Sequence, residues 1–154
     1  KNNTALTYLS CDNTELKRLE ISFNKLLKEL YCAGNQLTNL DLSKNTALEK
    51  LWCSYNRLES LNFSNNNDLT NLGCNGNKLK NLDVSNNPAL KELYCVKNQL
   101  KDLDLSKNND LEKLWCDYNK IKSLDLSKNS MLTDLKCEYN KFDCDALKAK
   151  YNLK

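Results

Sequence analysis

Seven of the eight cysteines recur at a constant spacing, each 21 positions after the one before, and thiols are among the most chemically versatile side chains in proteins. A thiolate can act as a nucleophile, ligate a metal ion or form a disulfide. A constant spacing places these thiols at one position of a repeated structural unit. The seven residues of this cysteine column are Cys11, Cys32, Cys53, Cys74, Cys95, Cys116 and Cys137.

The regular spacing restricts what the thiols can do. Parallel strands stack about 4.8 Å apart, and in-register Cβ atoms at that separation lie beyond the usual disulfide range of about 3.5 to 4.5 Å. Zinc needs thiolates that converge on one point, whereas a straight column spaces them along a line. We therefore predict that the cysteine column consists of buried free thiols that pack as small apolar side chains. Cys144 lies outside the column and is the one candidate for reactivity or for pairing with Cys137.

The rest of the composition argues against an enzyme and against nucleic-acid binding. The chain has no histidine, which is the commonest general base near neutral pH. It has no glycine-rich phosphate loop, nucleophile elbow or metal-ligand pair. Its 23 basic and 20 acidic residues are interspersed and leave a net charge of only +3, so no basic nucleic-acid footprint forms. We expect a non-catalytic protein that has no cofactor and does not insert into a membrane.

The cysteines belong to a longer pattern, Leu-x-x-Leu-x-Cys-x-x-Asn-x-Leu-x-x-Leu-Asp-Leu-Ser-x-Asn-x-x, which holds its phase from Leu6 to Phe142. Each unit contains two similar halves, as in 27–36 and 37–47, of which the second is longer by one position. In both halves the Leu-x-apolar triplet alternates, as in a short half-buried strand. Stacked units therefore predict a solenoid of about seven coils with short parallel strands on both sides, forming two sheets around a thin core.

This pattern resembles the leucine-rich repeat, whose core motif is Leu-x-x-Leu-x-Leu-x-x-Asn/Cys-x-Leu, and within it the bacterial 21-residue nested class called IRREKO-type. The resemblance covers residues 3–142. Thr14, Asn62 and Glu20 depart from the motif, and cysteine takes the central leucine position in every copy. The resemblance implies a protein-interaction scaffold of a bacterial surface or secreted protein, and hence an extracellular or cell-surface location.

The two ends of the chain differ. Residues 1–142 are predicted to form the solenoid, and residues 143–154 a C-terminal cap within the same domain. In the cap, Leu147 and Tyr151 follow at helical spacing behind Asp143 or Asp145 as N-cap. The other end opens inside a repeat, at Lys1, without a capping element. We expect the chain to be a piece of a longer protein, whose open first coil allows self-association.

The alternation places two aromatic columns on the outer face of the cysteine-bearing sheet, one just before and one two residues after each cysteine. Tyrosine and tryptophan are enriched at binding hot spots, and the charged flanks suggest an interaction surface. The alternative is that these side chains only stabilise the sheet as cross-strand pairs. The predicted partner-binding residues are Tyr31, Trp52, Tyr55, Tyr94, Trp115, Tyr118 and Tyr139, flanked by Glu29, Lys50, Glu92 and Lys113.

These columns also show a longer period of three coils, because the segment 30–56 returns almost unchanged as 93–119. Three coils therefore duplicated together.

Polar residues form three further columns. Two asparagine columns, one starting at Asn35 and one at Asn24, are predicted to close the turns and to bond between coils. An acidic column on the opposite side carries carboxylates that repel one another at this spacing. Either lysines such as Lys80, Lys101 and Lys122 or a bound Ca²⁺ would relieve the repulsion. The acidic column consists of Glu20, Asp41, Asn62, Asp83, Asp104 and Asp125.

Three functions fit these observations. The first is recognition of another protein through the aromatic face. The second is carbohydrate binding, with Trp52 and Trp115 stacked on sugar rings. The third is an architectural spacer, in which the aromatic columns have no partner.

Overall fold

A computed structural model describes residues 3–153 and shows a succession of stacked coils with one short strand in each. The seven strands form a single parallel sheet in sequence order. A short helix, α1, follows the last coil and spans Cys144–Lys150. The strands are β1 Tyr8–Ser10, β2 Glu29–Tyr31, β3 Lys50–Trp52, β4 Asn71–Gly73, β5 Glu92–Tyr94, β6 Lys113–Trp115 and β7 Asp134–Lys136.

Each strand pairs in register with the equivalent positions of the next coil. Leu30 pairs with Leu51, and Leu51 pairs in turn with Leu72. A bonded ladder continues past the strands, since the cysteine N–H donates to the next coil, as from Cys53 N to Gly73 O at 2.8 Å. The sequence repeat therefore sets the register, and the predicted solenoid of stacked coils is confirmed.

The core lies between the two sides of the coils. Leu51 and Cys53 have no exposed surface, and the same is true of their counterparts in the inner coils. Burial raises the pKa of the Cys53 thiol to about 12 and raises that of Cys74 well above its ordinary value, so these thiols stay protonated near neutral pH. Cys32, Cys53, Cys74, Cys95 and Cys116 are free and buried as predicted, whereas the free Cys11 in the first coil is only half-buried.

The predicted second sheet is wrong. The second half of each coil keeps its alternation, with Leu40 and Leu42 buried and Asp41 exposed, but residues 3–153 form strands on the cysteine side only. The reason is that Asp41 Oδ1 accepts the N–H of Ser43 at 2.9 Å, which closes a local turn. That N–H is then not available to a neighbouring coil, and the same bond recurs at Asp83, Asp104 and Asp125.

Side-chain amides take over the bonding between coils where the backbone does not. In the first asparagine column, Asn77 Nδ2 donates to Cys53 O and Cys74 O, both at 3.1 Å, and Oδ1 accepts from Leu58 N at 3.0 Å. In the second column, Asn87 Nδ2 donates to Asn66 O at 2.7 Å. The predicted bonding between coils is therefore present, although the amides bond to backbone groups and not to one another.

The C-terminal helix covers the last coil. Asp143 is its N-cap, and its Oδ1 accepts from Ala146 N at 3.0 Å, which selects Asp143 over Asp145. Leu147, Tyr151 and Leu153 pack against the core. The hydroxyl of Tyr151 donates to Asp125 Oδ1 at 2.9 Å, so the helix is fastened to the coil that it covers.

A disulfide joins this helix to the solenoid. Cys137 and Cys144 are bonded, with their Cα atoms 5.6 Å apart. The prediction of a free thiol at Cys137 is thus wrong, and the pairing considered for Cys144 is present. Cys144 can reach Cys137 because it starts a helix and is not held in the parallel register that separates the other cysteines.

We expect Cys144→Ser to lower the free energy of unfolding by about 2 to 3 kcal/mol, since the disulfide closes only a short loop. The measurement is urea unfolding followed by far-UV circular dichroism, with and without reductant. Cys11→Ser, which alters a half-buried free thiol, serves as the control. A wild-type chain whose midpoint is unchanged by reductant would contradict this expectation.

Candidate functional site

The predicted partner-binding residues lie on the outer face of the sheet, in two columns. The pre-cysteine column is formed by the last residue of each strand, whose side chain points away from the buried leucine beside it. The post-cysteine column follows at the point where the chain leaves the sheet. The pre-cysteine column contains Ser10, Tyr31, Trp52, Gly73, Tyr94, Trp115 and Lys136, and the post-cysteine column contains Asn13, Gly34, Tyr55, Gly76, Lys97, Tyr118 and Tyr139.

The charged residues beside the pre-cysteine column bond to one another and to the tyrosines. Glu29 accepts from Lys50 Nζ at 3.0 Å and from the Tyr31 hydroxyl at 3.1 Å. Three coils later the group recurs: Glu92 accepts from the Tyr94 hydroxyl at 3.0 Å and forms an ion pair with Lys113 at 3.3 Å. Glu29 and Glu92 are therefore neutralised by lysines of the next coil.

The pKa values of these groups follow from the same contacts. The Lys50 ammonium lowers the pKa of Glu29, and Glu29 raises that of Lys50. Burial works to raise the pKa of Glu92, but hydrogen bonds from Tyr94, Lys113 and Asn71 outweigh it and lower the pKa. Burial, followed by the Glu92 carboxylate, raises the pKa of Tyr94 to about 12. Both carboxylates are therefore charged and Tyr94 is neutral near pH 7.

Three rings of the pre-cysteine column, those of Trp52, Tyr94 and Trp115, form a contiguous cluster. Trp52 and Tyr94 lie 5.4 Å apart between ring centroids at an interplanar angle of 32°, and Tyr94 meets Trp115 edge-on at 5.0 Å. Trp115 also donates from Nε1 to Asp134 at 3.0 Å. The cluster therefore extends from β3 to β6 and is fixed in place by its own contacts.

Trp52 reaches Tyr94 only because the strand between them ends in glycine. A Cβ built on Gly73 would collide with Trp52 Cε3 and lie 2.7 Å from Cζ3. The indole of Trp52 thus lies directly on the backbone of β4. The Gly73 φ angle is not positive, so the backbone conformation does not require glycine here.

The post-cysteine column has an unusual backbone conformation. Its residues all have positive φ, with values of 56° at Tyr55, 55° at Tyr118 and 57° at Tyr139. The left-handed conformation costs a residue other than glycine roughly 1 to 2 kcal/mol. The three tyrosines are nevertheless 62%, 46% and 69% exposed, in that order. Tyr118 and Tyr139 stack at 4.2 Å with an interplanar angle of 13°.

The structure brings most of the predicted residues together but not all. The ring of Tyr31 pairs with that of Tyr8, with 5.5 Å between the centroids. The ring of Tyr55 lies against Gly76, so that a Cβ built on Gly76 would be 2.6 Å from Tyr55 Cδ1. Three residues that are not among the predicted partner-binding residues, Gly73, Gly76 and Lys136, determine where the rings lie. The signal that could have found them is the three-coil period, which breaks at these positions.

The acidic column is organised by hydrogen bonds. Asp41 and Asp104 have lowered pKa values, first because of the backbone N–H of the serine two residues later and then because of that serine's hydroxyl. The lysines suggested from the sequence do not account for the lowered pKa values of Asp83, Asp104 and Asp125. Lys80, Lys101 and Lys122 are not among the groups that shift them. In residues 3–153, no three cysteine, aspartate or glutamate side chains are grouped so as to hold a metal ion. The hypothesis of a Ca²⁺ site thus gains no support.

Across the part of the chain that the structure describes, no helix has the length and apolar character needed to cross a membrane.

Comparison with known proteins gave matches among solved structures only. No protein-family model matches the chain, and no curated protein matches it. Among solved structures, the functional domain of InlJ from Listeria monocytogenes, which includes a cysteine ladder, has a TM-score of 0.72 and 35% identity. The match covers 91% of this chain and 37% of the InlJ chain.

Two other Listeria monocytogenes structures show the same fold at lower identity. Internalin InlF has a TM-score of 0.79 and 22% identity over 87% of this chain and 42% of its own. Internalin C2 has a TM-score of 0.71 and 22% identity over 96% of this chain and 78% of its own. The chain thus spans less than half the length of the InlJ and InlF chains that it matches.

Proposed function

The chain is a leucine-rich repeat protein built from 21-residue coils, and from this premise we propose that it is a non-catalytic module that recognises another protein. The binding surface is the outer face of the sheet, formed by the pre-cysteine and post-cysteine columns. The likeness to internalin structures supports recognition as the general class of function. By the same likeness, the module belongs to a bacterial surface or secreted protein.

The observation that carries this proposal is the strain in the post-cysteine column. Glycine fits the left-handed conformation without strain and occupies it at Gly34 and Gly76. Tyr55, Tyr118 and Tyr139 adopt the same conformation at a cost in stability, and they are too exposed to return much of it by burial. Strained residues persist where function requires them. Large exposed aromatic side chains held in this way are suited to contact a partner.

The pre-cysteine column supports the same conclusion. Its rings are fixed against one another and its hydroxyl and carboxylate groups are already paired, so a partner would meet a rigid apolar surface. Rigid aromatic side chains lose little conformational entropy on binding. Neutralised flanking charges favour recognition by shape and apolar contact over recognition of a highly charged ligand.

The same geometry favours a protein partner over a carbohydrate. Stacking of successive sugar rings needs open ring faces of similar orientation. Tyr94 and Trp115 are perpendicular, at 89°, and Lys136 Nζ lies 3.5 Å over the Trp115 ring. A purely architectural spacer would have no reason to keep strained tyrosines where glycine fits.

The test compares the wild-type chain with two triple variants in binding to a panel of purified extracellular proteins and to a glycan array. We expect Trp52→Ala, Tyr94→Ala and Trp115→Ala together to abolish binding to a protein that the wild type binds. Lys44→Ala, Lys107→Ala and Lys128→Ala together, on the opposite side of the coils, should leave it unchanged. Unaltered binding by the aromatic variant, or binding to glycans alone, would refute the proposal.

A further inference from the structure

The two halves of the three-coil duplication present the same pair of aromatic residues in two different states. Trp52 and Tyr55, here called the platform, lie in the third coil, and Trp115 and Tyr118 are their equivalents in the sixth. The coil that follows the platform carries glycine in both columns. The coil that follows the second pair carries Lys136 and a tyrosine at the equivalent positions.

In the second pair, both rings are covered by side chains of the next coil. The Lys136 ammonium lies 3.5 Å over the Trp115 ring, within the range of a cation–π interaction. Tyr139 stacks on Tyr118 at 4.2 Å and 13°. Each ring of this pair thus has an occupant supplied by the chain itself.

The next coil supplies no such occupant to the platform, because both of its columns hold glycine there. The Trp52 and Tyr55 rings instead lie over the backbone of Gly73 and Gly76. Tyr94 lies two coils away, on the far side of Gly73, and its ring contacts the indole of Trp52 at an interplanar angle of 32°. No ammonium and no stacked phenol from the following coil therefore covers the platform.

The exposure of the two tyrosines agrees with this difference. Tyr55 is more exposed than Tyr118, at 62% against 46%. Glycine within a strand weakens it and often marks a close approach by another group. The Gly73 φ angle gives no backbone reason for glycine, and the close approach here is that of the Trp52 indole, which lies directly on the Gly73 backbone.

We propose that the platform is the centre of the binding face and takes a peptide segment of the partner that supplies one basic and one aromatic side chain. The chain shows both occupants in its second pair: an ammonium over the tryptophan and a phenol ring on the tyrosine. Lys136 and Tyr139 are three positions apart in the sequence. We therefore expect the partner to place a lysine or arginine over Trp52 and, at a similar spacing, an aromatic ring over Tyr55. This inference rests on the proposed role of the sheet face in binding a protein.

The probe for this inference is the heptapeptide Asp-Leu-Lys-Ser-Glu-Tyr-Asn, which copies the segment 134–140 with serine in place of the cysteine. The readout is the ¹H–¹⁵N spectrum of the chain, in which the Trp52 indole and the Gly73 and Gly76 amides report on the platform. The Trp115 indole and the Gly34 amide are internal references. A peptide with alanine in place of lysine and tyrosine is the control.

We expect the heptapeptide to shift the three platform signals saturably, and the alanine peptide to shift them at least tenfold less at the same concentration. The double variant Gly73→Lys and Gly76→Tyr, which copies the covered pair, should bind the heptapeptide at least tenfold more weakly. Its disulfide and its far-UV circular dichroism report whether it folds. Gly73→Lys alone avoids the positive φ of Gly76 and removes the Trp52 half of the platform, because its Cβ would collide with the indole in its present position.

Three results would overturn the inference: equal shifts of the Trp115 and Trp52 indoles, unchanged heptapeptide binding by the glycine variants, or shifts of the platform signals by cellobiose but not by the heptapeptide. If the protein partner is lost in the aromatic triple variant but retained in the glycine variants, the sheet face binds a protein and only the platform is wrong. The two proposals can therefore fail separately.

Discussion

Asn77→Ala is expected to lower the free energy of unfolding by about 3 to 5 kcal/mol, although it removes only a small polar side chain. Asn77 lies in the middle of the first asparagine column, where its amide bonds to Cys53 O, Cys74 O and Leu58 N. Alanine leaves the buried Leu58 N–H without its acceptor, whereas Cys53 O and Cys74 O each lose one amide donor and keep another, from Asn56 and Asn98. The unsatisfied buried N–H costs about 1 to 3 kcal/mol and each of the two other lost hydrogen bonds about 0.5 to 1.5 kcal/mol, so the effects reach two coils.

The measurement is the urea unfolding midpoint, followed by tryptophan fluorescence and far-UV circular dichroism together. Asn86→Ala is the matched control, because Asn86 is exposed, and it should change stability by less than about 0.5 kcal/mol. A loss for Asn77→Ala as small as that for Asn86→Ala would show that the backbone ladder holds the coils together without the amide.

Leu72→Ala is expected to have a comparable effect, a loss of about 3 to 5 kcal/mol. Leu72 is completely buried in β4 and has Leu51 and Leu93 as register partners on its two sides. Truncation removes apolar burial and leaves a cavity that neighbouring coils cannot close. In a repeat protein, stability is the sum of unit and interface contributions, so a cavity in a central coil weakens two interfaces.

Leu9→Ala makes the same change in the same column but in the first described coil. Leu9 is half-buried and has one register partner, Leu30. We expect it to lose less than half as much stability as Leu72→Ala in the same unfolding experiment. Equal losses at the two positions would contradict this expectation, because a half-buried leucine with one neighbouring coil would then contribute as much as a fully buried leucine with two.

The aromatic face shows how far sequence reasoning reaches at the candidate site. Alternation alone predicted that the rings of the pre-cysteine column point outward, because a strand sends successive side chains to opposite faces. It did not predict which ring contacts which. Trp52 passes over Gly73 to reach Tyr94, and Lys136 covers Trp115. Such contacts depend on the side-chain rotamers in each coil, which the 21-residue repeat does not encode.

The cysteines show the same division. Free buried thiols were predicted along the whole column and are present at five of its seven positions, since a straight column of parallel Cβ vectors prevents pairing between neighbours. Cys137 escapes this rule through its bond to Cys144 in the capping helix. Only the position of that helix decides that the two sulfur atoms meet.

The sequence by itself determined the solenoid, the register between coils, the buried leucine and cysteine columns and the outward aromatic columns. All of these follow from a periodic pattern, because identical units can bury their apolar residues only by stacking. The tertiary structure decided that one side forms strands and the other forms turns. Alternation is the same on both sides, but on the second side the carboxylate of Asp41 and its counterparts takes the serine N–H. A local hydrogen bond there replaces the ladder between coils. The sequence pattern is compatible with either acceptor for the serine N–H, the aspartate or the next coil, and only the tertiary structure decides between them.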